Sequence, residues 1–162
     1  MRKLLFILMM SMVWVMNAQD SCRVIRVVDG DTFELLCLSG KKMTRLMNVD
    51  APETDQYYGM VVTDSLKAIM EGDIVAVEQS KRDFYGRHLV KIRWEDKRLD
   101  SLLIAKGWAW HYHAFSDDVS LADVQDHAKE QAQGMWQCGY NVPPWIWRSM
   151  NKRNKRLYRL CR

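Results

Sequence analysis

Polar and apolar positions alternate through Arg23–Val28, the period of a half-buried strand. Asp29-Gly30-Asp31 interrupts the alternation with turn residues, and Phe33–Leu38 resumes it, which predicts a hairpin. Beyond the polar turn Ser39-Gly40-Lys41-Lys42, a third strand is expected over Met43–Val49. Ala51-Pro52 ends it, because proline lacks an N–H and biases the preceding residue to extended geometry. Apolar residues at 61, 62, 66, 69 and 70 follow helical spacing up to Glu71-Gly72-Asp73. Ile74–Glu78 and Leu89–Trp94 then alternate as strands on either side of a Tyr85-Gly86-Arg87 turn.

The C-terminal third changes character. Leu99–Lys106 carries apolar residues at 99, 102, 103 and 105 with Gly107 as its cap, and Val119–Gln133 reads as a further helix closed by Gly134. Val142-Pro143-Pro144-Trp145 is expected to be an extended aromatic segment packed back on the body. Five short strands, one inserted helix and a helical end predict an α+β fold built on a small five-stranded β-barrel with three packed helices.

The first eighteen residues stand apart. A basic Met1-Arg2-Lys3, an almost wholly apolar Leu4–Val15 and a small residue at Ala18 have the order of a secretory signal peptide. The apolar run is shorter than the roughly 20 residues of a spanning helix, which disfavours an uncleaved anchor. The expected organisation is a signal peptide over 1–18, one domain over 19–147 and a basic tail over 148–162. The mature chain is then secreted or periplasmic, monomeric and without stable membrane association. The four cysteines fit an oxidising compartment, and Cys22–Cys37 across the first hairpin with Cys138–Cys161 on the tail is the favoured pairing. Their spacing does not suit zinc. The net charge of +4 is unevenly placed: Arg148 to Arg162 holds seven basic residues and no acidic one. Such a tail could bind a polyanion by releasing counterions, or simply be solvated.

Three short stretches carry candidate chemistry: Asp29-Gly30-Asp31-Thr32, Arg45 with Asp50-Ala51-Pro52-Glu53, and Asp83-Phe84-Tyr85-Gly86-Arg87. Asp31 and Asp50, with the Ala51 carbonyl, form an oxygen-only donor set suited to calcium. Glu53 could take a proton from water, and Arg45 and Arg87 offer planar forks that match phosphate oxygens. Each residue alone has an ordinary explanation. Asp29 and Asp31 suit turns, Arg45 a solvated strand face, Glu53 the start of a helix, and Arg87 alone says little. The joint pattern is what favours phosphodiester cleavage.

These motifs, together with Ala105-Lys106-Gly107-Trp108-Ala109 and Gly134-Met135-Trp136, resemble the staphylococcal (micrococcal, thermonuclease) nuclease family over roughly residues 23 to 136. The resemblance implies an OB-fold barrel. It also implies a calcium-dependent endonuclease that cuts single- and double-stranded DNA and RNA to 3′-phosphate products, by metal-assisted in-line attack of water. It casts Asp31, Asp50 and Ala51 as calcium ligands, Glu53 as general base, Arg45 and Arg87 as the phosphate pair, and Tyr85 as a nucleotide contact. His113 and Phe115 stand where the family has tyrosines near the nucleotide; Trp110, Tyr112 and Phe115 offer a stacking wall. Gln125 stands where the family often has glutamate, and Asn48 where many relatives have glycine.

His111 and His113 on one strand face would suit a zinc pair or a histidine-based nuclease, but no cysteine or third ligand lies at motif spacing, so both are expected at the surface or in the groove. Two further function classes stay open: a barrel that binds nucleic acid without cutting it, and a secreted structural domain without a ligand.

Overall fold

A computed structural model describes residues 19–116 and 118–160, and for Gln79 and Ser80 the backbone alone. The proposed signal peptide and Cys161 lie outside the described residues. Strands β1 (Asp20–Val27), β2 (Thr32–Cys37) and β3 (Gly40–Leu46) form an antiparallel meander. The two-residue β4 (Val49–Asp50) and helix α1 (Gly59–Met70) follow, then β5 (Ile74–Arg82), β6 (His88–Trp94) and β7 (Lys97–Arg98). The sheet order is β3-β2-β1-β5-β6-β7, and β3 also pairs in parallel with β6. That last pairing closes β1, β2, β3, β5 and β6 into a five-stranded barrel, as the alternating pattern predicts.

Alternation along each strand sends one face inward. Val24, Phe33, Leu35, Leu46, Val90 and Ile92 are buried in the core, and α1 adds Val62, Leu66 and Met70 from one side. Helices α2 (Leu99–Ala105) and α3 (Ser120–Glu130) add Leu103 and Leu121, so the three expected helices are all present. Strand β8 (Trp110–His111) lies between them and pairs with β4. Cys22 and Cys37 are disulfide-bonded across the first hairpin, as expected. Cys138 is also disulfide-bonded; its expected partner, Cys161, falls outside the described residues.

Two departures from the periodicity reading bear on the site. The third strand does not run through to Val49. Asn48 takes a left-handed φ of 69°, which turns the chain out of the barrel and starts β4 as a separate strand. Asparagine tolerates that region better than most residues, and its side-chain amide donates to Asp100 Oδ2 at 2.8 Å. The chain after Val142 is not extended through Trp145. It enters helix α4 (Pro144–Ser149) with proline at the first turn, where its missing N–H costs nothing. A last helix, α5 (Lys152–Tyr158), is capped by Asn151, whose side-chain oxygen accepts from the Asn154 N–H at 2.9 Å.

Candidate active site

Sheet register assembles the polar residues. Across β2 and β3, Thr32 lies opposite Arg45, and across the closing β3–β6 pair, Arg45 lies opposite Leu89. The end of the first turn, the arginine of β3 and the start of β6 therefore meet at one end of the barrel. In that turn the Asp29 side chain accepts the Asp31 N–H at 3.1 Å, so Asp29 is the turn former. Gly30 permits close packing beneath it: a Cβ there would lie 2.5 Å from the Ala51 Cβ. Asp31 is thereby pressed against Asp50-Ala51, and its Oδ2 accepts the Ala51 N–H at 2.7 Å.

Arg45 bridges the two aspartates, with Nη1 2.7 Å from Asp31 Oδ2 and Nη2 2.7 Å from Asp50 Oδ1. Arg87 joins the group through Thr32. Its Nη1 donates to Thr32 Oγ1 at 3.4 Å, and that hydroxyl donates to Asp31 Oδ1 at 3.2 Å. Asp83 aims Arg87. Its Oδ2 accepts from Arg87 Nε at 2.7 Å, and its Oδ1 accepts the N–H groups of Tyr85 and Arg87, both at 2.9 Å. Burial pushes the Asp83 carboxyl up, but these hydrogen bonds from Arg87 and Tyr85 outweigh it and hold the group below its usual range.

Glu53 sits on the loop between β4 and α1. Gly59 at the start of α1 holds that loop close, since a Cβ there would fall 1.9 Å from the Glu53 carbonyl oxygen. Gln56 accepts the Glu53 N–H through Oε1 at 3.2 Å and donates through Nε2 to the Val142 carbonyl. Trp147, fully buried on α4, donates through Nε1 to Asp55 Oδ1 at 2.8 Å. The loop is thus fastened from both sides.

Sequence reasoning missed a third guanidinium. Arg148 on α4 places Nη2 2.8 Å from Asp50 Oδ2, and its Nη1 donates to Glu53 Oε1 at 2.8 Å and to Asp50 Oδ1 at 3.2 Å. Hydrogen bonding to Asp50, followed by that to Glu53, raises its pKa further above the usual arginine range. All five expected polar side chains therefore converge, joined by a sixth. Asp31 is buried, and its carboxyl is pushed up to about 7. Burial is the largest cause; Arg45 opposes it, and the neighbouring Asp29 and Asp50 add to it.

Among the described residues no group of three or more His, Cys, Asp or Glu side chains is placed to hold a metal ion. The site offers two carboxylates instead, and the geometry suits a cation. Asp50, with a side chain only 1% exposed, draws two guanidinium groups to itself, and one of them also neutralises Asp31. An oxygen-only pair of this kind fits a hard divalent ion that keeps several waters.

The aromatic candidates fall into two places. Tyr85, 81% exposed on the turn before β6, lies beside the Arg87 guanidinium at 5.6 Å. Tyr112 and Phe115 pack together at 4.9 Å, but one face of Tyr112 is already covered by Trp145 of α4, stacked at 5.2 Å. Trp145 also meets Trp110 and His113 edge-on, so the segment expected to pack back on the body adds a tryptophan to the expected wall. The histidine expectation needs correction. Strand β8 ends at His111, which is buried, while His113 opens a 3-10 turn and is exposed, so the two do not share a strand face. Burial, followed by the charge of His113, lowers the His111 pKa. Gln125 accepts the His111 N–H at 2.9 Å, so glutamine supplies the polar contact at that position.

The family model described as "Staphylococcal nuclease homologue" matches residues 43–138. An Escherichia coli O157:H7 protein named "Uncharacterized endonuclease" is 37% identical over 150 residues, covering 91% of this chain and 98% of the relative. The Arabidopsis thaliana "Staphylococcal-like nuclease CAN1" is 34% identical over 116 residues, 72% of this chain and 36% of the relative. A Shigella flexneri "Micrococcal nuclease" is 26% identical over 140 residues, 80% of each. With a matched segment spanning more than half of its length and a 37% identical relative covered almost end to end, the chain belongs to the staphylococcal nuclease homologue family.

Proposed function

We propose that the protein is an exported, calcium-dependent endonuclease that hydrolyses DNA and RNA to 3′-phosphate products. The observation that carries this reading is the single network in which Asp31, Asp50 and Glu53 meet Arg45 and Arg87. Nuclease names among the relatives support the reaction class. The Cys22–Cys37 disulfide supports export.

Asp31 and Asp50, with the carbonyl of Ala51, would hold the ion. Bound there, calcium would neutralise the two carboxylates and polarise a phosphoryl oxygen. Glu53, part-exposed and tethered through its backbone to Gln56, takes the proton from the water that attacks phosphorus. The bond to the 5′ oxygen breaks, and that oxygen takes its proton from solvent. Arg87, aimed by Asp83, and Arg45 face the phosphoryl oxygens as negative charge grows on them, so they stabilise the transition state more than the ground state. Tyr85 and the Tyr112–His113–Phe115 segment flank the nucleotide.

The test is digestion of single-stranded DNA by the protein lacking residues 1–18, with calcium and with chelator. Cleavage is expected only with calcium, and Glu53→Gln and Arg87→Ala should each lower turnover by about two to four orders of magnitude. Binding without cleavage under every divalent ion would make this a non-catalytic barrel.

A further inference from the structure

Arg148 lies beyond the segment that the family model matches, 43–138, yet it touches the two carboxylates nearest the proposed chemistry. Asp50 has both oxygens engaged: Oδ1 by Arg45 and by Arg148 Nη1, and Oδ2 by Arg148 Nη2 at 2.8 Å. The same fork holds Glu53 Oε1. A divalent ion on Asp50 would therefore share a desolvated carboxylate with two guanidinium groups, and like charges repel strongly where water is excluded.

One of the two can leave. Arg45 has a side chain 12% exposed, bridges Asp31 and Asp50, and donates to its neighbour's carbonyl, that of Leu46. Arg148 is 46% exposed and approaches from the solvent side. Its helix need not move with it, because the adjacent Trp147 is buried and bonded to Asp55. With an ion on Asp50, the half-exposed arginine can exchange this pair for water without leaving the buried carboxylate uncompensated.

Building on the calcium reading above, we infer that Arg148 is an internal counter-cation that competes with the divalent ion for Asp50. It neutralises Asp50 and Glu53 while the ion is absent and swings outward when the ion binds. Until it leaves, Glu53 Oε1 is occupied by a guanidinium. Release of Arg148 thus couples ion binding to the freeing of the base.

Calorimetric titration with calcium alone, in the absence of nucleic acid, tests this directly. The proteins compared are the mature wild type, Arg148→Gln, Arg148→Lys and, as a charge control on β7, Lys97→Gln. Arg148→Gln should bind calcium on the order of tenfold more tightly, Arg148→Lys by less than that, and Lys97→Gln as the wild type does. In the wild type, the side-chain Nε–H resonance of Arg148 should move as calcium saturates. Equal or weaker binding by Arg148→Gln, or the same gain from Lys97→Gln, overturns the competition and leaves the calcium reading standing. Absence of calcium binding by wild type and Arg148→Gln alike overturns both.

Discussion

Asp31 is held where water scarcely reaches it, and that placement has a measurable cost. Its carboxyl titrates near 7 in the folded protein against 3.8 as the ordinary value. The folded state therefore keeps a proton that the unfolded chain has lost, so stability falls as pH rises through this window and levels off above it. At about 1.4 kcal/mol per pKa unit, the loss is at most about 4 kcal/mol. Asp31→Asn removes the group. Urea unfolding in chelator should show the wild type losing more stability between pH 5 and pH 8 than the variant does. As candidates, Asp31, Arg45, Asp50, Glu53 and Arg87 were legible in the chain because each sits in a short motif with a turn or proline to mark it. Arg148 was not. Its partners Asp50 and Glu53 are 98 and 95 residues away, and nothing in a run of basic residues says that the first one folds back. Trp145 was expected to pack back on the body and does, but its partners on β8 and the turn beyond it were not legible for the same reason.

Among the elements, α4 does most to order the neighbourhood of Glu53. Trp147 fills the core and holds Asp55, and Lys155 of α5 lies 5.1 Å over the same indole. Trp147→Ala removes a fully buried ring, which typically costs about 3–5 kcal/mol. Denaturant unfolding should show a loss of that size, and hydrogen exchange should speed up at the Gln56 amide ahead of the β2 and β3 amides. The elements with clean periodicity, the barrel strands and helices α1 to α3, were readable because burial on one face imposes a fixed spacing. Two features escaped it. A single left-handed residue, Asn48, bends the third strand without changing its composition. Two consecutive prolines read as extended chain, although Pro144 is equally suited to open a helix.

At the scale of the molecule, charge is sorted by position. Arg148 turns inward and Lys155 contacts Asp55, whereas Lys152, Arg153, Arg156 and Arg159 are exposed on or just after α5. Such a surface suits a polyanion, and it suits a solvated tail equally. Replacing Lys152, Arg156 and Arg159 with glutamine should weaken binding of catalytically silenced Glu53→Gln protein to single-stranded DNA. It should also flatten the dependence of log K on log salt by about 0.7 for each phosphate no longer neutralised. An unchanged slope would assign the tail to solubility. The chain pattern showed where the charge lies; it could not show which cations the fold had already neutralised.

The parallel seam between β3 and β6 has a consequence of its own. Arg45 lies on β3 and Arg87 in the turn that leads into β6, and these two strands are neighbours only through the pairing that closes the barrel. Strung out along the chain, 42 residues apart, the two guanidinium groups share no site; the closed ring gives them one. Any chemistry that needs both therefore waits on closure of the barrel, in whatever order its strands form.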